Sequence, residues 1–418
     1  MRYEFLPAFK GDCFLIHAGT DEEPVLILVD GGPRGTYEQH LKPRLMALRD
    51  ERGLGEGQPL VIDLVMVSHV DDDHINGIID LFEEMRERAM AGDPPLFEAR
   101  GLWHNSFDEV IGRSQIGAQA AQFGAASFGA AIEEDDEIDE IEAHDAALIL
   151  QSVSQGHQLR DLASSDELRI PINDDSGGLI MTRTGETTVH ELGGIRLTIV
   201  GPREAELRKL EEEHDAWLRR RQEEGKPITP GSLLQSLSDE SVANLSSIVI
   251  LAERNGATAL LTGDARSDYV LKGLEEIGLV APGGDYEVGL LKMPHHGSDR
   301  NVDEDFLRRV TAPRYLFTGN GEHGNPERET FRMLMAARPG ADMEFHLTYP
   351  IDEIDHERKR EYDAARAKEL DKQAAGRLKP PKTVRAEWSD ADHSVGALRH
   401  EAPANVRFIE PEGPIVTL

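Results

Sequence analysis

The chain has 418 residues, of which 39% are hydrophobic and 29% charged, the balance of a folded protein with a sizeable core rather than of a disordered or fibrous one. No apolar stretch approaches the roughly 18 residues of a membrane span, and no charged segment leading into an apolar one opens the chain, so the expectation is a cytoplasmic protein without a membrane partner. The formal charge of −33 opposes general affinity for polyanions, and the single cysteine, Cys13, excludes both an intrachain disulfide framework and a thiolate zinc cage.

In chain order, "YEFLPAF", "CFLIHAG" and "VLILVDGG" are short apolar runs closed by turn residues and predict strands, while "TYEQHLKPRLMALRD" has helical spacing. "VIDLVMVSHV" is apolar apart from Asp63 and reads as a strand buried on both faces. After it, Ile75, Ile78, Ile79, Phe82 and Met85 recur at helical spacing, so a helix is expected to begin at or beside His74. Between about 110 and 240 the pattern loosens into small-residue, acidic and charged segments, which we read as an insertion or elaborated crossover; its helix "EAELRKLEEEHDAWLRRRQEEG" has a solvated charged face. Strand signals return in "SSIVILAE", "ATALLTGDA", "YEVGLLKMPHHGSD" and "RYLFTGNGEHGNPE". The expected division is one domain over 1–345 containing the insertion, then a helical and strand extension over 346–418 with a charged helix and a last strand-like "NVRFIEPEG".

The chemistry concentrates where "VMVSHVDDDHINGIIDL" turns from strand to helix. Imidazole and carboxylate are the donors a divalent first-row metal takes when thiolates are absent. His69 and Asp71, two apart on an extended segment, point the same way and can grip one ion; Asp73 and His74 can reach a second. Asp72 reads as a surface carboxylate at the helix start. Asp264 in "LLTGDA" and the pair His295, His296 in "LKMPHHGS" also follow apolar strands, and in α/β architectures strand ends share one rim of the sheet.

These residues resemble the metallo-β-lactamase fold hydrolases, whose turn is His-x-His-x-Asp-His. With Asp71 in place of the second histidine, the turn is similar to that of the C-terminal hydrolase domain of the ComEC competence proteins. "FKGDCFLI", "ILVDGG", "NLSSIVIL", "LLTGDA" and "LKMPHHGS" extend the resemblance over roughly residues 1 to 340, apart from the insertion. It implies an α/β fold of the four-layer αββα sandwich type with two divalent metal ions, zinc or manganese, at one edge. Carried over by residue, His69 and Asp71 belong to the first metal, Asp73 and His74 to the second, and Asp264 bridges. One of His295 and His296 closes the second site; His296 is favoured as the ligand and His295 as a phosphate-facing or proton-handling group. Asn244, with Asp239 nearby, stands where the family places a further histidine. An amide is a poorer ligand, and the added carboxylate hardens the donor set, which makes Mn²⁺ or Mg²⁺ a rival to Zn²⁺.

The implied activity is metal-dependent hydrolysis by an activated water, with Asp73, His295 and His323 in the catalytic set and a phosphodiester, in a nucleic acid or nucleotide, as substrate. His295 or His323 would protonate the leaving oxygen. His104, Asn244 and Asn320 are the substrate-side candidates; His104 is as readily structural. Asp12 and Asp30 lie beside glycines at strand boundaries, and Asp30 reads as a turn-fixing residue. Relatives of this kind that stand alone occur as effector modules in bacterial defence systems, which adds partner proteins of such a system to the expectation. The alternatives are hydrolysis of a small ester, lactone or cyclic nucleotide, and a non-catalytic binding or regulatory protein that keeps the fold.

Overall fold

The computed structural model describes residues 1–105, 154–176, 178–226, 246–377, 383–413 and 416–417; Asn244, Asp239 and part of the expected insertion lie outside them. Two mixed sheets organise an α/β fold. The first contains β1 (Arg2–Phe5), β2 (Phe14–Gly19), β3 (Pro24–Val29), β4 (Leu64–Val67) and β5 (Leu102–His104). β1, β2 and β3 are antiparallel, and β4 and β5 continue parallel to β3. The second runs through β6 (Val189–Leu192), β7 (Ile195–Gly201), β8 (Val249–Arg254), β9 (Ala257–Leu261), β10 (Leu290–Lys292), β11 (Arg314–Phe317), β12 (Met343–Leu347) and β13 (Val406–Ile409) in spatial order. Its first four strands are antiparallel neighbours, and from β9 onward every pairing is parallel.

Side-chain alternation sorts the core into three apolar clusters. Phe5, Phe14, Ile16, Ile27 and Met66 of the first sheet meet Leu197, Ile199, Ile250 and Leu261 of the second. Leu15, Leu28, Val65 and Val67, on the opposite face of the first sheet, pack with Leu45 and Leu48 of α1 (Lys42–Glu51) and with Ile75, Ile78 and Phe82 of α2 (Asp72–Ala91). The other face of the second sheet packs Leu251, Leu260, Tyr315 and Phe345 with Leu274 of the helix Ser267–Glu276 and Phe331 of the helix Arg328–Ala337. α2 begins at Asp72, with Asp71 still extended, and stops at Gly92 in the left-handed conformation.

The described part of the expected insertion differs from the sequence reading. Residues 189–201 form the hairpin of β6 and β7, integral to the second sheet, closed by Gly193 and Gly194 at φ 57° and 75°. Two positive-φ residues match the turn that best follows strand twist. Within 346–418, the long helix Ile351–Ala374 precedes β13, and β14 (Val416–Thr417) pairs with β1, so this segment adds an edge strand to each sheet. Among the described residues no helix is long and apolar enough to cross a membrane.

Candidate metal centre

The C-terminal ends of β3, β4, β9, β10 and β11 deliver Asp30, the His69–His74 turn, Asp264, the His295–His296 pair and Thr318 to one place, and the loop between β1 and β2 adds Asp12. Two close backbone approaches bring the loops in. A Cβ at Gly11 would lie 1.8 Å from the Asp73 carbonyl oxygen, and one at Gly77 would lie 2.0 Å from that of Gly31. Only glycine lets the β1–β2 loop and the β3 turn sit this tightly on the start of α2.

Three buried histidines are held in one manner. His69 Nδ1 is 3.1 Å from Ser68 Oγ, His74 Nδ1 is 2.9 Å from Asp30 Oδ2, and His296 Nδ1 is 2.9 Å from Thr318 Oγ1 and 3.2 Å from Asp12 Oδ1. Ser68 in turn donates its N–H and its hydroxyl to Asp30 at 2.6 and 2.7 Å. Anchoring through Nδ1 turns each Nε2 inward, where none of the three has a hydrogen-bond partner among the described residues. They face Asp264, which is 2% exposed: its Oδ1 lies 3.4 Å from His74 Nε2, and its Oδ2 lies 3.4 Å from His296 Nε2, 3.6 Å from His295 Nε2 and 3.7 Å from His69 Nε2. Asp71 stands 3.4 Å from His69 Nε2, and Asp73 stands 3.6 Å from His296 Nε2 and 3.9 Å from His74 Nε2. Donor atoms of Asp12, His74, Asp264 and His296 all fall within 4.8 Å of one another, so this buried cluster can hold a metal ion.

The carboxylates set the electrostatics of the cluster. Burial works against a charged imidazole, yet Asp264 and Asp12 push His296 up to about 10, and Asp264, Asp30 and Asp73 hold His74 well above the usual imidazole value. Burial likewise opposes ionisation of Asp264, but His296, His295 and His74 keep it well below the usual carboxylate range. His295 moves the other way, lowered by burial with Asp264 opposing. Converging carboxylates that draw protons onto neighbouring histidines demand positive charge, and a cation meets that demand while leaving the imidazoles neutral as ligands.

The structure thus brings together His69, Asp71, Asp73, His74, Asp264, His295 and His296. His295 and His296 both adopt left-handed backbone conformations, at φ 48° and 55°, and the His295 side chain is 30% exposed whereas that of His296 is buried. The remaining described candidates make hydrogen bonds of other kinds. The His104 backbone is clasped by Asn173, whose side chain accepts from His104 N at 3.0 Å and donates to its carbonyl at 2.8 Å. Asn320 closes its own turn, accepting from Glu322 N at 3.2 Å and donating to Glu322 Oε1 at 3.3 Å. His323 is anchored through its N–H to Glu361 Oε2 at 2.6 Å, and its Nε2 lies 3.5 Å from Lys10 Nζ. Asp72 accepts from Asn76 at 2.6 Å and from Gln155 at 3.1 Å.

Sequence reasoning placed Asp12 and Asp30 only at strand boundaries beside glycines and passed over Lys292. Asp12 is buried among the ligand candidates, Asp30 orients His74, and Lys292 reaches Asp12 Oδ2 at 2.5 Å. A lysine inside the apolar run "GLLKMP" was the available signal, since charged residues are almost never fully buried unless paired.

No protein-family model matches the chain, and no curated protein matches it. A crystal structure of a protein of unknown function from Enterococcus faecalis is similar at 13% identity and a TM-score of 0.28, over 86% of this chain and 67% of that one.

Proposed function

We propose that the protein is a dinuclear metal-dependent hydrolase of the metallo-β-lactamase type that cleaves phosphodiesters. The observation that carries the reading is the set of three buried histidines, each pinned through Nδ1 and aiming at Asp264 an Nε2 that has no hydrogen-bond partner among the described residues. Such outer partners fix the tautomer and aim of metal-bound histidines. The three apolar clusters support the order helices, sheet, sheet, helices for the four-layer sandwich of that family.

In this reading His69 and Asp71 would hold one ion and Asp73, His74 and His296 the other, with Asp264 placed among both sets. Bound divalent ions supply Lewis acidity and a water acidified to near neutrality. His295, partly exposed at the cluster, is placed to hold or pass a proton at the leaving oxygen. Among phosphodiesters, the formal charge of −33 favours a small one such as a cyclic nucleotide over a long nucleic acid. Elemental analysis paired with hydrolysis of bis-p-nitrophenyl phosphate tests the proposal: bound divalent metal with chelator-sensitive turnover is expected. Metal bound without turnover would favour the binding-protein alternative, and a protein that takes up no metal would refute both the centre and the hydrolase.

A further inference from the structure

Lys292 is the last residue of β10 and is 1% exposed. Its Nζ donates to the Gly263 carbonyl at 2.9 Å, lies 2.5 Å from Asp12 Oδ2, and lies 3.7 Å from Asp264 Oδ1. Asp12 is thereby engaged at both oxygens, one by Lys292 and the other by His296 Nδ1 at 3.2 Å. It sits among the converging donors, yet an ammonium lies beside one of its oxygens and the outer nitrogen of a ligand histidine beside the other.

We infer that Lys292 is a built-in cation that keeps Asp12 out of the metal donor set and fixes the charge the metal ions have to meet. The inference rests on the metal centre proposed above and deepens it. With neutral histidines, Asp12, Asp30, Asp71, Asp73 and Asp264 contribute five negative charges and Lys292 one positive, a net −4 that two divalent cations balance. A buried charge without compensation is costly, so the lysine sets both the number of cations the site accepts and how tightly it holds them. Lys292 is a positioning residue: it acts through Asp12 and through the field at Asp264.

A merely structural lysine and a charge-setting one give opposite signs. Lys292→Met keeps the length of the stem, removes the ammonium and leaves the cluster at −5 with Asp12 available as a donor. Asp12→Asn keeps an acceptor for His296 and leaves −3, and the double variant returns to −4. Metal-depleted proteins titrated calorimetrically with Mn²⁺ at constant pH and ionic strength should bind in the order of that charge. Lys292→Met is expected to bind at least about tenfold tighter than the parent, Asp12→Asn at least about tenfold weaker, and the double variant within a few-fold of the parent. Should Lys292→Met fail to fold, the double variant against Asp12→Asn isolates the same ammonium, and a gain of about tenfold is again expected. A folded Lys292→Met that binds Mn²⁺ no better than the parent, or a double variant no better than Asp12→Asn, overturns the inference while leaving the metal centre standing. A parent protein that takes no divalent ion overturns both.

Discussion

Replacing Asp264 by asparagine removes one charge from the point where the cluster converges and changes side-chain volume little. In the parent, Oδ1 faces His74 Nε2 at 3.4 Å and Oδ2 faces His296, His295 and His69 between 3.4 and 3.7 Å. An amide can offer its oxygen to only one of these two groups, and its NH₂ is repelled by any cation on the other side. At an effective dielectric of ~20, a unit charge ~4 Å away is worth ~4 kcal/mol. Losing two-thirds of that at the transition state, ~2.7 kcal/mol, lowers the rate by ~100-fold. The assay is turnover of bis-p-nitrophenyl phosphate at saturating Mn²⁺, with circular dichroism and a melting curve to establish folding. The fold is expected to survive because Asp264 takes no part in the three apolar clusters. Near-parental turnover in a folded Asp264→Asn protein would refute a carboxylate-bridged pair of ions, and with it the hydrolase reading.

Metal choice is a second measurement: with Asp71 beside His69 in place of an imidazole, activity after chelation should return better with Mn²⁺ than with Zn²⁺, and strict zinc dependence would contradict this. In the chelated protein, His296 titrates at about 10 rather than 6.5, so its stabilising contribution is complete below pH 6.5 and is lost as pH rises towards 10. Urea denaturation of chelated protein should therefore show lower stability at pH 9.5 than at pH 6.5; equal stability at both would contradict it. Far from the cluster, Glu4 accepts from Arg44 at 2.8 and 3.0 Å and lies 3.2 Å from His17. Burial opposes its ionisation, but His17 and Arg44 pull the carboxyl from 4.5 down to about 2. Its contribution is present above pH 4.5 and is lost as pH falls towards 2, so Glu4→Gln should cost up to roughly 3 kcal/mol at pH 7 and almost nothing at pH 2. A pH-independent difference would show that the substitution acts through packing alone.

The readable part of the site is the part that is contiguous or repeats a pattern. Five of the six positions from His69 to His74 carry histidine or aspartate on a strand-to-helix boundary, and Asp264 and His296 follow apolar runs of strand length. The strand-to-helix order of the first third is legible for the same reason, because both periodicities are strong there. The β6–β7 hairpin was also available, in the alternation of "VHELGGIRLTIV" about two glycines, but its loose surroundings conceal it. Asp12 and Lys292 are different. Asp12 meets His296 across 284 positions, and nothing local distinguishes an aspartate after a glycine at a turn from one buried against a distant histidine.

What makes the donors usable is also distributed. Each imidazole is aimed by a group from elsewhere in the fold or beside it: Ser68 next to His69, Asp30 at the end of β3 for His74, and Thr318 at the end of β11 with Asp12 for His296. Ligand type is therefore written in short motifs, whereas ligand direction depends on pairings between strands far apart in the chain. A carboxylate-rich cluster with its own imidazoles protonated is a poor element of stability, since burying those charges costs more the fewer of them are matched. The fold withstands it because the cluster sits where strands end, outside the apolar contacts of both sheets, and because a buried lysine already lies beside two of its five carboxylates. The same placement leaves Asp71 and the His295 ring partly exposed while His69, His74 and His296 are buried, so the donors are held from within and approached from one side.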